Sequence, residues 1–215
     1  MYWASVVVSD ESIIHSDGEP LIAGRRGDTF LDDPSYAPVH AKLNELKVPL
    51  YVHLFHAMPI VQKAYYSGFS PEVTAQFSLA GWGWHHEAGI QVLRMILAGT
   101  FESFPDLRVI SGHWGEMVPF FLERLNDTIP PRVSGLSRDI SEIYKNNVWV
   151  TPSGMFDLPQ FEFVYKVLGP DHIMWSADYP YVTLDGTQEF LESLPISEVD
   201  TEKIAHGNAE QIFGL

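Results

Sequence analysis

Apolar positions along this chain fall into two rhythms, short unbroken runs and stretches with helical spacing. The runs at 4–8, 48–52, 107–110, 147–151 and 172–176 are rich in β-branched and aromatic residues, and each is long enough for a buried strand. Pro49 suits only the first residues of its strand, because it cannot donate to a ladder. Between the runs, helical patterns fall at 36–46, 86–97, 117–125 and 160–168. Three more, at 186–193, 198–205 and 209–213, close the chain. In the second helix Ile90, Leu93 and Leu97 recur on one face, and Gly99 is placed to end it. Asn208 is placed to N-cap the last helix. Residues 13–33, rich in Gly, Asp and Arg, read as a long loop. The stretch 53–84, punctuated by Pro59, Gly68, Pro71, Gly81 and Gly83, is too aromatic for a linker and reads as an ordered, pocket-lining segment. No repeat, low-complexity tract or linker divides the chain, so 1–215 is read as one domain.

Strands separated by helices predict parallel βα units and an α/β fold. An eight-stranded (β/α)₈ TIM barrel takes about 250 residues. Five strands in 215 residues therefore predict a partial barrel or a small open sheet. Polar residues follow several strands directly: His53, His113, Ser153 and Asp178. Parallel strands deliver such residues to one end of the sheet, where α/β folds place their chemistry.

Composition narrows the options. With 13 basic against 28 acidic side chains the net charge is -15, which repels phosphate backbones and anionic membranes. No apolar run approaches the roughly 20 residues of a membrane span, and the N-terminal residues lack a signal-peptide pattern. A cytoplasmic protein is the expectation. With no cysteine, there are no disulfides, thiolate nucleophiles or Cys-type zinc sites. Histidine and carboxylate remain as strong metal ligands, and together they suit a divalent ion such as zinc or manganese. His53, His113 and Asp178 are the candidates in register. Glu116, three residues beyond His113, is placed to hydrogen-bond that imidazole, or to sit as an acid at a helix N-terminus. His85-His86-Glu87 is read as surface or cap, since adjacent helical residues point apart. Arg25, Arg26 and Arg124 read as surface residues, and no Gly-x-Ser-x-Gly elbow is present.

Several segments, in order, resemble the amidohydrolase-related family over roughly 31–215. They are Leu31-Asp-Asp-Pro, Val48-Pro-Leu-Tyr-Val-His53 and Leu93-Arg-Met-Ile-Leu-Ala-Gly-Thr-Phe101, followed by Phe104-Pro-Asp-Leu-Arg-Val-Ile-Ser-Gly-His113-Trp-Gly-Glu116. Trp175-Ser-Ala-Asp178-Tyr-Pro and His206-Gly-Asn-Ala complete the series. The resemblance is to the decarboxylase branch, with aminocarboxymuconate semialdehyde, γ-resorcylate and 5-carboxyvanillate decarboxylases. It implies a (β/α)₈ barrel with one divalent metal. His53 on the fifth barrel strand is then a metal ligand, His113 on the sixth the catalytic histidine paired with Glu116, and Asp178 on the eighth a metal ligand and proton donor. The family's first-strand His-x-His or Glu-x-His pair has no counterpart here. The chain is therefore expected to be the C-terminal part of a longer enzyme, starting near the fourth barrel strand with its metal site incomplete.

The resemblance implies non-oxidative decarboxylation of a hydroxylated aromatic or unsaturated carboxylic acid, by a protein that self-associates as a homo-oligomer. The same residues could serve a hydrolase acting on an ester, lactone or amide. A third reading is a non-catalytic fragment or pseudoenzyme that docks on a partner chain.

Overall fold

The computed structural model describes residues 25–26, 28–52 and 56–215. The expected strand at 4–8 and the residue His53 lie outside them. A two-residue antiparallel pair, β1 (Arg25–Arg26) and β2 (Thr29–Phe30), comes first, within the stretch read as loop. Three parallel strands follow in sequential order: β3 (Leu50–Val52), β4 (Val109–Ser111) and β5 (Val148–Val150). Their register aligns Leu50 with Val109 and Val148, and Tyr51 with Ile110 and Trp149. Pro49 stands just outside the ladder, as its missing N–H requires.

The expected strand at 172–176 shrinks to a single parallel bridge between Ile173 and Val150. Met174 still donates to the Val150 carbonyl at 2.9 Å, and the next N–H, from Trp175, points to the other side of the strand and donates to the Ile204 carbonyl at 2.9 Å. Sequential parallel neighbours joined through helices are the arrangement of consecutive barrel strands, and the structure is a partial (β/α) barrel.

The Gly83–Leu97 helix links β3 to β4, Val118–Thr128 and Ile140–Asn147 link β4 to β5, and Leu158–Leu168 leads on to Ile173. One sheet face packs on these helices. Leu50, Val52, Val109, Val148, Val150 and Ile173 share a buried cluster with Val92, Ile96, Ile140, Ile143, Phe161 and Val164. The other face presents Tyr51, Ile110, Trp149 and Met174, packed by Ala209, Ile212 and Phe213 of the final Asn208–Phe213 helix.

Gly99, at φ 74°, ends the 83–97 helix as expected, its N–H returning 3.0 Å to the Ile96 carbonyl. Asn208 does not cap. The preceding turn runs helically into it, and its amide donates at 2.7 Å to both the Pro170 and Ile173 carbonyls. Asn147 does likewise towards Pro105 and Leu107, at 3.1 and 3.0 Å. Each buried asparagine pins a helix to the chain entering a strand.

Candidate active site

Beyond β4 the backbone enters a left-handed turn. His113, Trp114, Gly115, Glu116 and Met117 have φ of 46°, 59°, 83°, 54° and 68°. For residues other than glycine such a conformation costs roughly 1–2 kcal/mol each, so the surroundings must hold it. Trp114 does much of this: its backbone N–H donates 2.8 Å to Thr151 O, its indole N–H 2.7 Å to Met155 O, and its ring stacks edge-on against Phe161. Gly115 is the tightest point, because a Cβ there would lie 2.6 Å from the Tyr144 hydroxyl.

The turn brings His113 and Glu116 together, with Nδ1 2.7 Å from Oε1. Glu116 therefore precedes the Val118–Thr128 helix and does not sit in its first turn as a macrodipole acid. Its other oxygen, Oε2, is 2.7 Å from Nδ1 of His85, whose Nε2 lies 2.9 Å from the Ala80 carbonyl. The two imidazoles meet edge-to-face at 4.7 Å. Burial pushes the Glu116 carboxyl up, but hydrogen bonds from His113 and His85 and their charges outweigh it and hold the group below the usual carboxylate range. Burial pulls His85 down, yet the hydrogen bond and charge of Glu116, the Ala80 carbonyl and the charge of Asp178 together raise it.

The sequence reading of His85 as surface or cap is thus corrected. Its side chain is only 16% exposed and faces the turn. A signal was present: 85, 89, 92 and 96 continue one helical stripe, of which Val92 and Ile96 are fully buried. Gly89 lets the helix approach, since a Cβ there would come 2.6 Å from the Glu116 carbonyl. Ligand atoms of His85, His113 and Glu116 all lie within 4.8 Å, the spacing of a metal cluster. In this structure both nitrogens of His85 are engaged in hydrogen bonds, and the three side chains form a hydrogen-bonded chain.

Asp178 follows the Ile173 bridge at φ 60°, and its carbonyl accepts from Tyr181 and Val182 at 2.9 and 3.1 Å, so it also starts a turn. The loop at Ser153–Gly154 packs against it, with a Cβ on Gly154 falling 3.4 Å from the Asp178 Cβ. Ser153 in turn belongs to a hydroxyl cluster: its Oγ is 2.9 Å from Tyr51 Oη, 2.8 Å from Thr151 Oγ1 and 3.2 Å from Ser176 Oγ. Burial raises the Tyr51 hydroxyl, its bonds to Ser153 and Thr151 oppose this, and the charges of Glu116 and Asp178 add to the rise. Both carboxylates therefore act on the same hydroxyl at the strand ends. In the aromatic segment Tyr66 is buried against Phe77, while Tyr65, Phe69 and Trp82 are exposed. A cleft lined by Pro49, Arg108, Ile212 and Phe213 opens at the opposite end of the strands and holds none of these groups. No described helix is long and apolar enough to cross a membrane.

A parallel sheet with histidine and acid at its carboxyl ends defines a barrel-type α/β protein with a polar site at the strand termini. The chain belongs to the amidohydrolase family, whose pattern matches residues 21–215. It is 31% identical over 200 residues to the decarboxylase orsB of Emericella nidulans, covering 90% of this chain and 60% of that one. A Staphylococcus aureus protein assigned as an amidohydrolase superposes with TM-score 0.87 at 37% identity, over 90% of this chain and 63% of that one. The 5-carboxyvanillate decarboxylase of Novosphingobium aromaticivorans, crystallised with manganese and 4-hydroxy-3-methoxy-5-nitrobenzoic acid, gives TM-score 0.79 at 29% identity, over 90% and 55%. The chain thus spans a little over half the length of these relatives.

Proposed function

We propose that this chain carries part of the active site of a metal-dependent decarboxylase acting on a hydroxylated aromatic carboxylic acid. The observation that supports this most directly is the His113–Glu116 pair, held at 2.7 Å in a strained turn at the carboxyl end of β4. A carboxylate on Nδ1 orients the imidazole and leaves Nε2 as its proton-exchanging atom. Relatives named as decarboxylases, one of them holding manganese and an aromatic acid, support the same reaction.

The donor set fits a divalent cation, manganese or zinc. His53 and Asp178 offer an imidazole nitrogen and a carboxylate oxygen, acceptable to an ion of borderline hardness. The charges of Asp178 and Glu116 both act on the Tyr51 hydroxyl, so negative potential gathers at the strand ends. When bound, the ion would supply charge stabilisation for a chelating carboxylate and its neighbouring oxygen. The protein's own work is proton transfer. Asp178, aided by His113, delivers a proton to the ring carbon bearing the carboxylate. The bond to the carboxyl group then breaks, its electron pair restores the aromatic ring, and carbon dioxide leaves. The same reading takes 1–215 as one domain, self-associating and working in the cytoplasm.

The test is release of carbon dioxide from 5-carboxyvanillate and 2,6-dihydroxybenzoate by the purified chain supplied with manganese or zinc. Turnover that falls on the order of 10²–10⁴-fold in His113→Asn supports the reading. Hydrolysis of an ester or amide with no carbon dioxide released would overturn it.

A further inference from the structure

We propose that His85 is a positioning residue: a doubly protonated imidazole that keeps Glu116 ionised and thereby fixes His113 in the tautomer carrying its hydrogen on Nδ1. The argument is one of donors and acceptors. The Ala80 carbonyl, 2.9 Å from His85 Nε2, can only accept, so that nitrogen carries a hydrogen. His85 Nδ1 faces Glu116 Oε2 at 2.7 Å, and the pair shares one proton. Glu116 also receives His113 Nδ1 at 2.7 Å on its second oxygen. A carboxylate accepting two such bonds is favoured in its charged form, which places the shared proton on His85. His85 then carries two hydrogens and a positive charge. His113, facing an oxygen that can only accept, must donate from Nδ1.

The geometry is built rather than incidental. Glu116 is buried, Gly89 seats the 83–97 helix directly on the Glu116 carbonyl, and the Trp114 bonds hold the turn. The groups acting on His85 are Glu116 and His113 from the turn, the Ala80 carbonyl from the chain before the helix, and the charge of Asp178 from beyond Ile173. The Tyr144 hydroxyl faces Glu116 from the 140–147 helix. A cation on one oxygen keeps Glu116 a carboxylate, whose second oxygen accepts the Nδ1 hydrogen of His113. With Nδ1 engaged in that bond, Nε2 is the ring atom of His113 left for proton exchange. The protonation pattern stands on the geometry alone, while its use in turnover rests on the reaction proposed above.

The experiment is nitrogen NMR of the intact chain with labelled histidine, without substrate, from about pH 6 to about pH 9, a range centred above the ordinary imidazole value. His85→Asn and His113→Asn assign the signals. The expected result is a His85 with both ring nitrogens protonated at neutral pH and a His113 protonated on Nδ1. In Glu116→Gln, His85 falls to one protonated nitrogen. A neutral His85 in the native chain, with the proton on Glu116, overturns the proposal, as does a His113 that carries its hydrogen on Nε2 and none on Nδ1. Should His85→Asn fail to fold, the native and Glu116→Gln spectra decide. Absent carbon dioxide release with the expected spectra rejects the reaction alone; release with a neutral His85 rejects the positioning role alone.

Discussion

His85 and Glu116 are 31 positions apart in the chain, yet Nδ1 of one lies 2.7 Å from Oε2 of the other. One sits at the start of a long helix and the other in a left-handed turn beyond β4. Their meeting depends on the closeness of those two elements, which Gly89 permits. A carboxylate as buried as Glu116 needs compensation of this kind, because desolvation alone would protonate it.

Removing the carboxylate should therefore be expensive. Glu116→Ala leaves two partly buried imidazoles without their shared acceptor, and a loss of about 3–5 kcal/mol is expected for one partner of a buried pair. Urea denaturation of the two proteins measures it. A loss within the range of exposed pairs, about 0–1 kcal/mol, would show that water already reaches the site.

The pH dependence has a defined sign. Glu116 is held below its unfolded value, so its contribution is present above the ordinary carboxylate pKa of about 4.3 and fades as pH falls through the folded value. His85 is held above its unfolded value, so its contribution is full below about 6.5 and fades as pH rises through the folded value. The gap in melting temperature between the native chain and His85→Asn should be widest between these limits and narrow on the alkaline side. A gap that widens with rising pH contradicts the pairing.

Gly115→Ala should destabilise the turn through two routes. It adds the roughly 1–2 kcal/mol of a left-handed side chain, and its Cβ would lie 2.6 Å from Tyr144 Oη. The hydroxyl of Tyr144 is buried and has no hydrogen-bond partner among the described residues. Tyr144→Phe alone should consequently be neutral or stabilising, since an unsatisfied buried group costs about 1–3 kcal/mol. In the double variant Tyr144→Phe should recover part of the Gly115→Ala loss. Strict additivity in a thermal-unfolding cycle would remove the contact from the explanation.

Asn208 separates a pin from a cap. Asp caps helices about as well as Asn, but it cannot donate to the Pro170 and Ile173 carbonyls. Asn208→Asp should then destabilise at least as much as Asn208→Ala, by about 1–3 kcal/mol for carbonyls left without a donor. Native-like stability of Asn208→Asp, read by calorimetry, would restore the capping role.

Much of this architecture is written locally. The runs that form β3, β4 and β5 each carry enough β-branched or aromatic residues to specify a strand, and the helical spacing between them forces parallel pairing. That placed His113, Ser153 and Asp178 at strand ends, and the three-residue spacing of His113 and Glu116 already suggested their bond. His85 escaped because adjacent helical residues point apart, which left the His85-His86-Glu87 run reading as surface or cap, although its stripe with Val92 and Ile96 was readable. Only the tertiary structure decided the rest. The last expected strand kept a single bridge to β5, with the Trp175 N–H donating to the Ile204 carbonyl on its other side, and Asn208 donates to two distant carbonyls instead of capping its own helix. The His113–Met117 turn took a left-handed path that few sequences adopt without support from Thr151 and Met155. These choices turn on which remote donor or acceptor lies within 3 Å, as at the 2.7 Å contact of Glu116 with His85. A sequence sets strand and helix through neighbours along the chain, but a buried hydrogen bond is settled by neighbours in space.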